Sequence, residues 1–268
     1  MAAESGNSET VSLLLTSAPT LVDCPDSSKI TPLVLAIHQL VSSTSTSTST
    51  LIQVAMKLLG SGADPNNHNA ADPSPLFLIL ESELNIVSHP KLEELVLALL
   101  EKGAKVDVKP ENVYPKRSML GNACQKQMWK VALKLAEKKC DASSVYRDGT
   151  TPLHDACRND APAEVIQAIL QLPLRINAQD RDTLTPLHVC GTMESIALLT
   201  AQAADANALS TQGIPPVDTV RTPQAVIGLL LHAQLKRPPK DADSSSVIKV
   251  AMACFEKDSS AWGVVLSK

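Results

Sequence analysis

Apolar residues in this chain fall in short runs of helical spacing, separated by clusters of Gly, Asp, Asn, Pro and Ser, and most runs come in pairs. Residues 89–107 show the spacing: Leu92, Leu95, Val96, Leu99 and Leu100 lie on one face of a 3.6-residue period. ETVSLLLTSA at 9–18 predicts a short opening helix, with Ser8 or Thr10 as its N-cap. Pairs follow at 30–40 with 51–59, 74–84 with 89–107, 118–127 with 128–143, 150–160 with 163–180, 184–193 with 194–210, and 215–223 with 224–236. Gly60 or Gly62 marks a helix stop, and the ADPN after it starts a turn.

The first run of each pair opens alike. TPLH stands at 151–154 and at 185–188, a worn copy, PPVD, at 215–218, and Thr31-Pro32-Leu33 has the same form. Pro in the first turn costs no hydrogen bond, and a preceding Thr can cap the orphan N–H groups. Equivalent positions are 32, 75, 119, 152, 186 and 216, at intervals of 43, 44, 33, 34 and 30. Self-similarity at that period signals a repeat array. Insertions account for the two long intervals: SSTSTSTST at 42–50, read as a flexible loop and a candidate for phosphorylation, and loop residues around 84–90 and 108–115. Each helix pair has one apolar face that it cannot bury alone, so stacking several copies is what makes the fold.

Composition narrows the class. With only six aromatic residues, the core must come from Leu, Ile, Val and Ala, which suits thin layers of paired helices. A net charge of -4 makes the surface no general attractor for nucleic acid or anionic lipid. Cysteines at 24, 124, 140, 157, 190 and 254 form no C-x-x-C pair, which points to reduced, buried thiols. The N-terminus MAAESGNSET has no basic region of a secretory signal, and no apolar run approaches the roughly 18 residues of a membrane span. The expected location is the cytoplasm, or the nucleus or cytoskeleton.

A helix opening with T-P-L-H-x-A, a second helix, then G-A-D-x-N and a hairpin resembles the ankyrin repeat. DGTTPLHDAC at 148–157 is the best match, and GADPN at 62–66, GAKVD at 103–107, INAQD at 176–180 and ADANA at 204–208 match the hairpin half. The third copy lacks Thr-Pro and His, and the sixth has Asp218 in place of His. The resemblance implies an all-α solenoid of about six stacked ankyrin-type helix pairs with short hairpin loops. Units are expected near 9–66, 67–107, 108–143, 144–177, 178–208 and 209–237, forming an array over 1–237. Residues 238–268 would be a linker with a C-terminal capping helix or tail.

No phosphate-binding, zinc-protease or serine-hydrolase motif occurs, so no catalytic residue, cofactor or metal is assigned. The resemblance gives His154 and His188 a structural role, bonding backbone between the Thr and the next loop. Cys157 and Cys190 read as small core residues. Lys126, Lys130, Lys134 and Lys138 recur every four residues, as a basic stripe on one helix. Residues 102–147 hold eleven basic against four acidic side chains, which offers a patch for an acidic partner.

The family likeness implies a non-catalytic adaptor that binds protein partners on its hairpins and inner helices. Nucleic acid, membrane and small-molecule substrates are not expected. Aligned to that pattern, the partner-facing residues are Tyr114, Arg117, Gln125, Arg147, Asp148, Arg158, Asn159, Arg181, Asp182, Thr192 and Met193. The alternative is a permanent structural subunit of a large assembly, burying the tail 247–268 with Trp262.

Overall fold

A computed structural model describes residues 2–42, 48–66, 74–84, 91–107, 117–220 and 222–232, and the described residues contain helices and turns but no strand. The Ser/Thr run at 43–47, Tyr114 and the expected tail 238–268 lie outside these residues. The flanks of the Ser/Thr run are not loop, since Ser42 ends one helix and Thr48 begins the next. The chain forms two compact units, one ending at Cys140 and the other starting at Asp141.

In the first unit, α1 (Ser8–Ser17) and a 3-10 turn (Pro19–Asp23) precede three helix pairs. The pairs are α2 (Pro32–Ser42) with α3 (Thr48–Gly60), α4 (Pro75–Glu81) with α5 (Lys91–Glu101), and α6 (Met119–Gln125) with α7 (Trp129–Glu137). First helices α2, α4 and α6 stack in one layer, second helices α3, α5 and α7 in another, and α1 packs on α3. The predicted face of α5 is the buried one: Leu92, Leu95, Val96, Leu99 and Leu100 are almost wholly covered. The N-cap of α1 is Asn7, whose side chain accepts from the Thr10 N–H, one position before the expected cap.

The second unit repeats the scheme. It holds α8 (Pro152–Arg158) with α9 (Ala163–Leu170), a 3-10 turn (Pro186–Val189) with α10 (Met193–Ala201), and α11 (Pro216–Thr219) with α12 (Pro223–His232). α8, the 3-10 turn and α11 form one layer, and α9, α10 and α12 the other.

Short helices need their ends satisfied, because the first N–H and last C=O groups have no partner inside the helix. Two of the copies that lack Thr-x-x-His use serine: Ser74 Oγ accepts from the Phe77 N–H, and Ser118 Oγ from the Gly121 N–H, each at 3.2 Å. The divergent third pair therefore still forms. At the other end, one device recurs. A residue turns to positive φ, and the next N–H reaches back five residues: Ala63 to Leu58, Ala104 to Leu99, Met128 to Ala123, Cys140 to Leu135, Ala161 to Ala156 and Ala204 to Leu199. This is the bonding of a Schellman motif.

Glycine supplies the turn at Gly62 and Gly103, whereas Gln127, Lys139, Asp160 and Ala203 adopt it with a Cβ. A Cβ at that angle costs about 1–2 kcal/mol, partly offset by the greater freedom glycine loses on folding. Replacing Ala203 by glycine is thus expected to raise stability by about 0.5–1 kcal/mol, while Ala197→Gly inside α10 lowers it by about 1 kcal/mol. Urea unfolding of the two variants, with opposite shifts of midpoint at constant slope, checks this pair.

Candidate functional site

The TPLH motif builds the link between neighbouring repeats. In α8 the Thr151 N–H donates to Nδ1 of His154 at 3.2 Å, and the Thr151 hydroxyl meets the same nitrogen at 2.9 Å. A backbone N–H can only donate, so Nδ1 is the unprotonated acceptor and Nε2 carries the proton. Nε2 then donates to Leu184 O of the following hairpin at 3.0 Å. His188 repeats the pattern with the Thr185 N–H at 3.0 Å and Ile214 O at 3.2 Å. Burial lowers the pKa of both imidazoles below the ordinary value, and the backbone acceptor opposes this only in part. Both are neutral struts, buried within the fold, as the resemblance implied.

The two hairpins that the histidines grip, and the one before them, are five-residue turns. The Tyr146 N–H donates to Thr150 O, that of Asp180 to Leu184 O, and that of Ser210 to Ile214 O. The fourth residue of each, Gly149, Thr183 and Gly213, has positive φ. Inside the turns, Asp148 accepts from Thr150, Asp180 from Asp182 and Leu184, and Ser210 Oγ from Gln212 and Ile214. Consecutive tips are then laced by backbone: the Arg181 N–H donates to Asp148 O at 3.0 Å and the Thr211 N–H to Asp182 O at 3.1 Å. Gly149 sits so close that a Cβ there would lie 2.8 Å from Asp180 Cα.

This lacing fixes where the predicted partner-facing residues stand. Arg147 and Arg181 occupy the same position of adjacent hairpins and both are exposed, with Asp148 and Asp182 one residue further on. Arg158 is exposed at the end of α8, its guanidinium 3.9 Å from Asp180. Asn159 folds its amide back onto Asp155 O. Thr192 and Met193 have structural roles: Thr192 caps α10 through the Ser195 N–H, and Met193 packs where a Cβ on Gly228 of α12 would touch it. In the first unit, Arg117 is half-buried just before α6 and Gln125 is exposed at its end. Tyr114 lies outside the described residues.

The basic stripe does not exist as one helix face. α6 ends at Gln125, Gln127 turns to positive φ, and α7 begins at Trp129, so the period of four runs across a helix break. Lys126 belongs to the turn, where its ammonium donates to Ser82 O and to Leu84 O, with Glu81 held nearby by Asn122. Burial lowers its pKa, against the pull of Glu83 and Glu81. Lys134 pairs with Glu137 at 2.8 Å, and Lys138 caps α7. Lys130 is exposed on α7. The buried-thiol expectation also needs one change: Cys124, Cys140, Cys157 and Cys190 are buried and in no disulfide, but Cys24 is exposed.

Sequence reasoning missed two features of the second unit. Val145 and Leu209, each just before a hairpin, are exposed apolar side chains beside the arginine tips. The other is a notch. In the fourth repeat the second helix begins at Ala163, twelve positions after the Thr151 cap; in the fifth and sixth, Met193 and Pro223 begin only eight after Thr185 and Pro215. Two successive first helices are therefore a turn short. The space they leave is a cavity of about 340 Å³, overhung by Arg158 and Asp160 and lined by Val189, Gly191, Thr219 and Val220. The interval of 30 between Pro186 and Pro216 was its sequence signal. Among the described residues, no cluster of His, Cys, Asp and Glu could hold a metal, and no helix is long and apolar enough to cross a membrane.

No protein-family model matches the chain. Over 142 residues, 51% of its length, it is 32% identical to the human transient receptor potential cation channel subfamily A member 1, and the chain spans only 12% of that protein. In structure it is similar to the ankyrin repeat domain of Bcl-3, a member of the IkappaB protein family, with a TM-score of 0.50 and 22% identity over 85% of this chain and 95% of that one. It is also similar to the ankyrin repeat domain of human ASB11, with a TM-score of 0.54 and 21% identity over 89% and 97%. The fold of this chain is thus the ankyrin repeat fold, an all-helical solenoid of helix pairs.

Because the unfolded chain takes up protons on His154 and His188 near pH 6.5 while the folded chain resists them, their stabilising effect is complete above that pH. It is lost as pH falls through 6.5 towards the lowered folded values. Gln at the same position of a capping box can accept from the Thr N–H but does not titrate. The His154→Gln/His188→Gln variant is expected to be less stable at pH 7.5, by about 1–2 kcal/mol per site. Its melting temperature should also change less between pH 7 and pH 5 than that of the parent; an equal acid slope in both would refute the assignment.

Proposed function

We propose that this ankyrin-type stack is a non-catalytic adaptor, which captures a protein partner on the hairpin tips and adjoining first helices of the second unit. The observation that carries this reading is the laced row of hairpins, which holds Arg147 and Arg181 outward at equivalent positions with exposed Val145 and Leu209 beside them. Stacked repeats of this kind present extended surfaces suited to macromolecules. Arginine is enriched among the few residues that dominate binding, and an apolar neighbour lets water be excluded around it. The tips are backbone-bonded in register, so little ordering cost falls on binding. Carboxylates on the partner would pair with the two guanidiniums.

The test compares the parent with an Arg147→Glu/Arg181→Glu variant in affinity purification, read by quantitative mass spectrometry. Specific interactors of the parent are expected to fall by about tenfold or more in the variant, the effect of losing charge-paired anchor residues. Unchanged capture would remove the hairpin row from consideration.

A second reading, as a permanent subunit of a larger assembly, is favoured by one observation in the first unit. Leu13, Leu14 and Leu21 of α1 and its following turn are 69%, 45% and 41% exposed. Apolar side chains left in water on neighbouring elements suit a covering chain. On this reading, co-purification at fixed stoichiometry should persist in high salt and be lost in Leu13→Ser/Leu21→Ser; salt-sensitive, sub-stoichiometric capture favours the adaptor.

A further inference from the structure

The first unit opens on part of a repeat. The Asn7 N–H reaches back to Ala2 O, past Gly6 at positive φ. The same bond closes α6, from Met128 to Ala123 past Gln127, and α8, from Ala161 to Ala156 past Asp160. Residues 2–7 therefore stand as the last turn of a first helix, with Ala3 buried as Cys124 and Cys157 are. α1 follows as the second helix, and it packs on α3 as α3 packs on α5. Among the described residues, nothing stands for the turn before it, the counterpart of Pro152–Asp155 in α8.

The hairpin that such a turn would join is already built. The Asp26 N–H donates to Ile30 O, Asp26 Oδ1 accepts from the Ser28 and Ile30 N–H groups, and Lys29 has positive φ. Position for position this is the turn at 180–184, where Asp180 bonds Asp182 and Leu184 and Thr183 has positive φ. That later turn makes two bonds to the repeat before it: His154 Nε2–H donates to Leu184 O, and the Arg181 N–H donates to Asp148 O. At the first hairpin both places are open. Among the described residues, Ile30 O accepts only from Asp26, and the Ser27 N–H, which corresponds to that of Arg181, meets no acceptor.

The apolar side of the joint is open too. The residues that begin the other five first helices, Pro75, Met119, Pro152, Pro186 and Pro216, are buried, but Pro32 is only half-buried. Beside it lies a groove of about 280 Å³, with Leu14, Leu15, Leu21, Ile30 and Leu35 on its walls. A repeat that ends an array ordinarily turns a polar face outward. An aliphatic groove flanked by an open carbonyl and an open N–H is instead the receiving half of the bond between repeats.

We propose that this end of the stack receives a helical turn of the T-P-L-H kind from a partner that is itself a repeat protein. The partner's aliphatic side chains fill the groove, and its imidazole N–H donates to Ile30 O. The occupant is specified by continuity with the stacking interface, since His154 supplies that donor to the equivalent hairpin. A second copy of this chain does not qualify, because its own Leu153, His154, Leu187 and His188 are buried. The inference deepens the reading of this face as one that another chain covers, and rests on it. It is independent of the hairpin tips of the second unit.

The probe is the peptide acetyl-YRDGTTPLHD-amide, residues 146–155 of this chain, titrated into the full ¹⁵N-labelled protein and followed by amide chemical shifts. Saturable shifts confined to residues 2–35 and α3 are expected, with a Kd of about 1 mM. In the peptide, Leu153→Ser should weaken binding by about tenfold, the scale of one buried aliphatic side chain, and His154→Ala by about threefold. On the protein, Leu14→Gln should act like the first of these; Leu14 is 45% exposed, so that variant keeps the fold. Four results would each overturn the proposal: no saturable shift, shifts centred elsewhere, equal binding of the Leu153→Ser peptide, or the same amides shifting with protein concentration alone, the mark of self-association. The Arg147→Glu/Arg181→Glu variant should bind the peptide like the parent. Co-purification reports whether a partner is permanent, and the titration reports the joint itself, so the two readings fail in different measurements.

Discussion

A pair of helices four to thirteen residues long has too little apolar surface to hold itself together, so everything in this protein depends on the bond that joins one repeat to the next. In the second unit that bond is a neutral imidazole. His154 accepts from its own helix cap and donates to the next hairpin, and His188 does the same one repeat later. One side chain thus satisfies an orphan N–H at a helix start and adds a second bond to the carbonyl that closes the neighbouring turn. A protonated ring could not accept from the Thr N–H, which is why burial and function of this histidine point the same way.

Other side chains also bridge consecutive repeats, beside a histidine or without one. In the first unit, Asn66 bonds both Gly103 O and the Lys105 N–H of the following repeat, and Asn177 in the second unit bonds Ala203 O and the Asp205 N–H. Asp23 takes the same place with its carboxylate on the Asp64 N–H. Lys126 ties α6 to the loop after α4 by reaching two of its carbonyls. These are four chemical solutions to one problem, that of fixing the rise from one layer to the next. Sequence divergence between repeats is tolerated because the problem is posed by backbone groups, which do not change.

That explains which parts were legible in the sequence. The TPLH spacing and the apolar faces gave the repeat and the helix pairs, since both follow from backbone periodicity. Cys157 and Cys190 fit as small core residues for the same reason. The lysine stripe misled because spacing alone cannot see a helix break, and the break rests on Gln127 adopting an angle that glycine would have announced. Thr192 and Met193 were aligned to a surface position, but the shortened fifth repeat moves them into a cap and a packing contact. Val145 and Leu209 give no pattern signal, because a single apolar residue in a loop looks like any other.

The shortened repeats show where such an array can change without coming apart. The second helices α10 and α12 keep nine and ten residues, and they pack on each other and hold buried Ile196, Leu199, Ala225, Val226 and Leu229. Removing a turn from the first helices therefore takes little from the core. The histidine strut and the hairpin lacing lie before the deletion point in each repeat, at Thr185–His188 and at Ser210–Ile214, so the register survives as well. What is lost is only surface on the first-helix layer. A deletion at that place converts a flat layer into a notched one, and Gly191 at its border is required by the Asp160 carboxylate, which a Cβ there would meet at 2.1 Å.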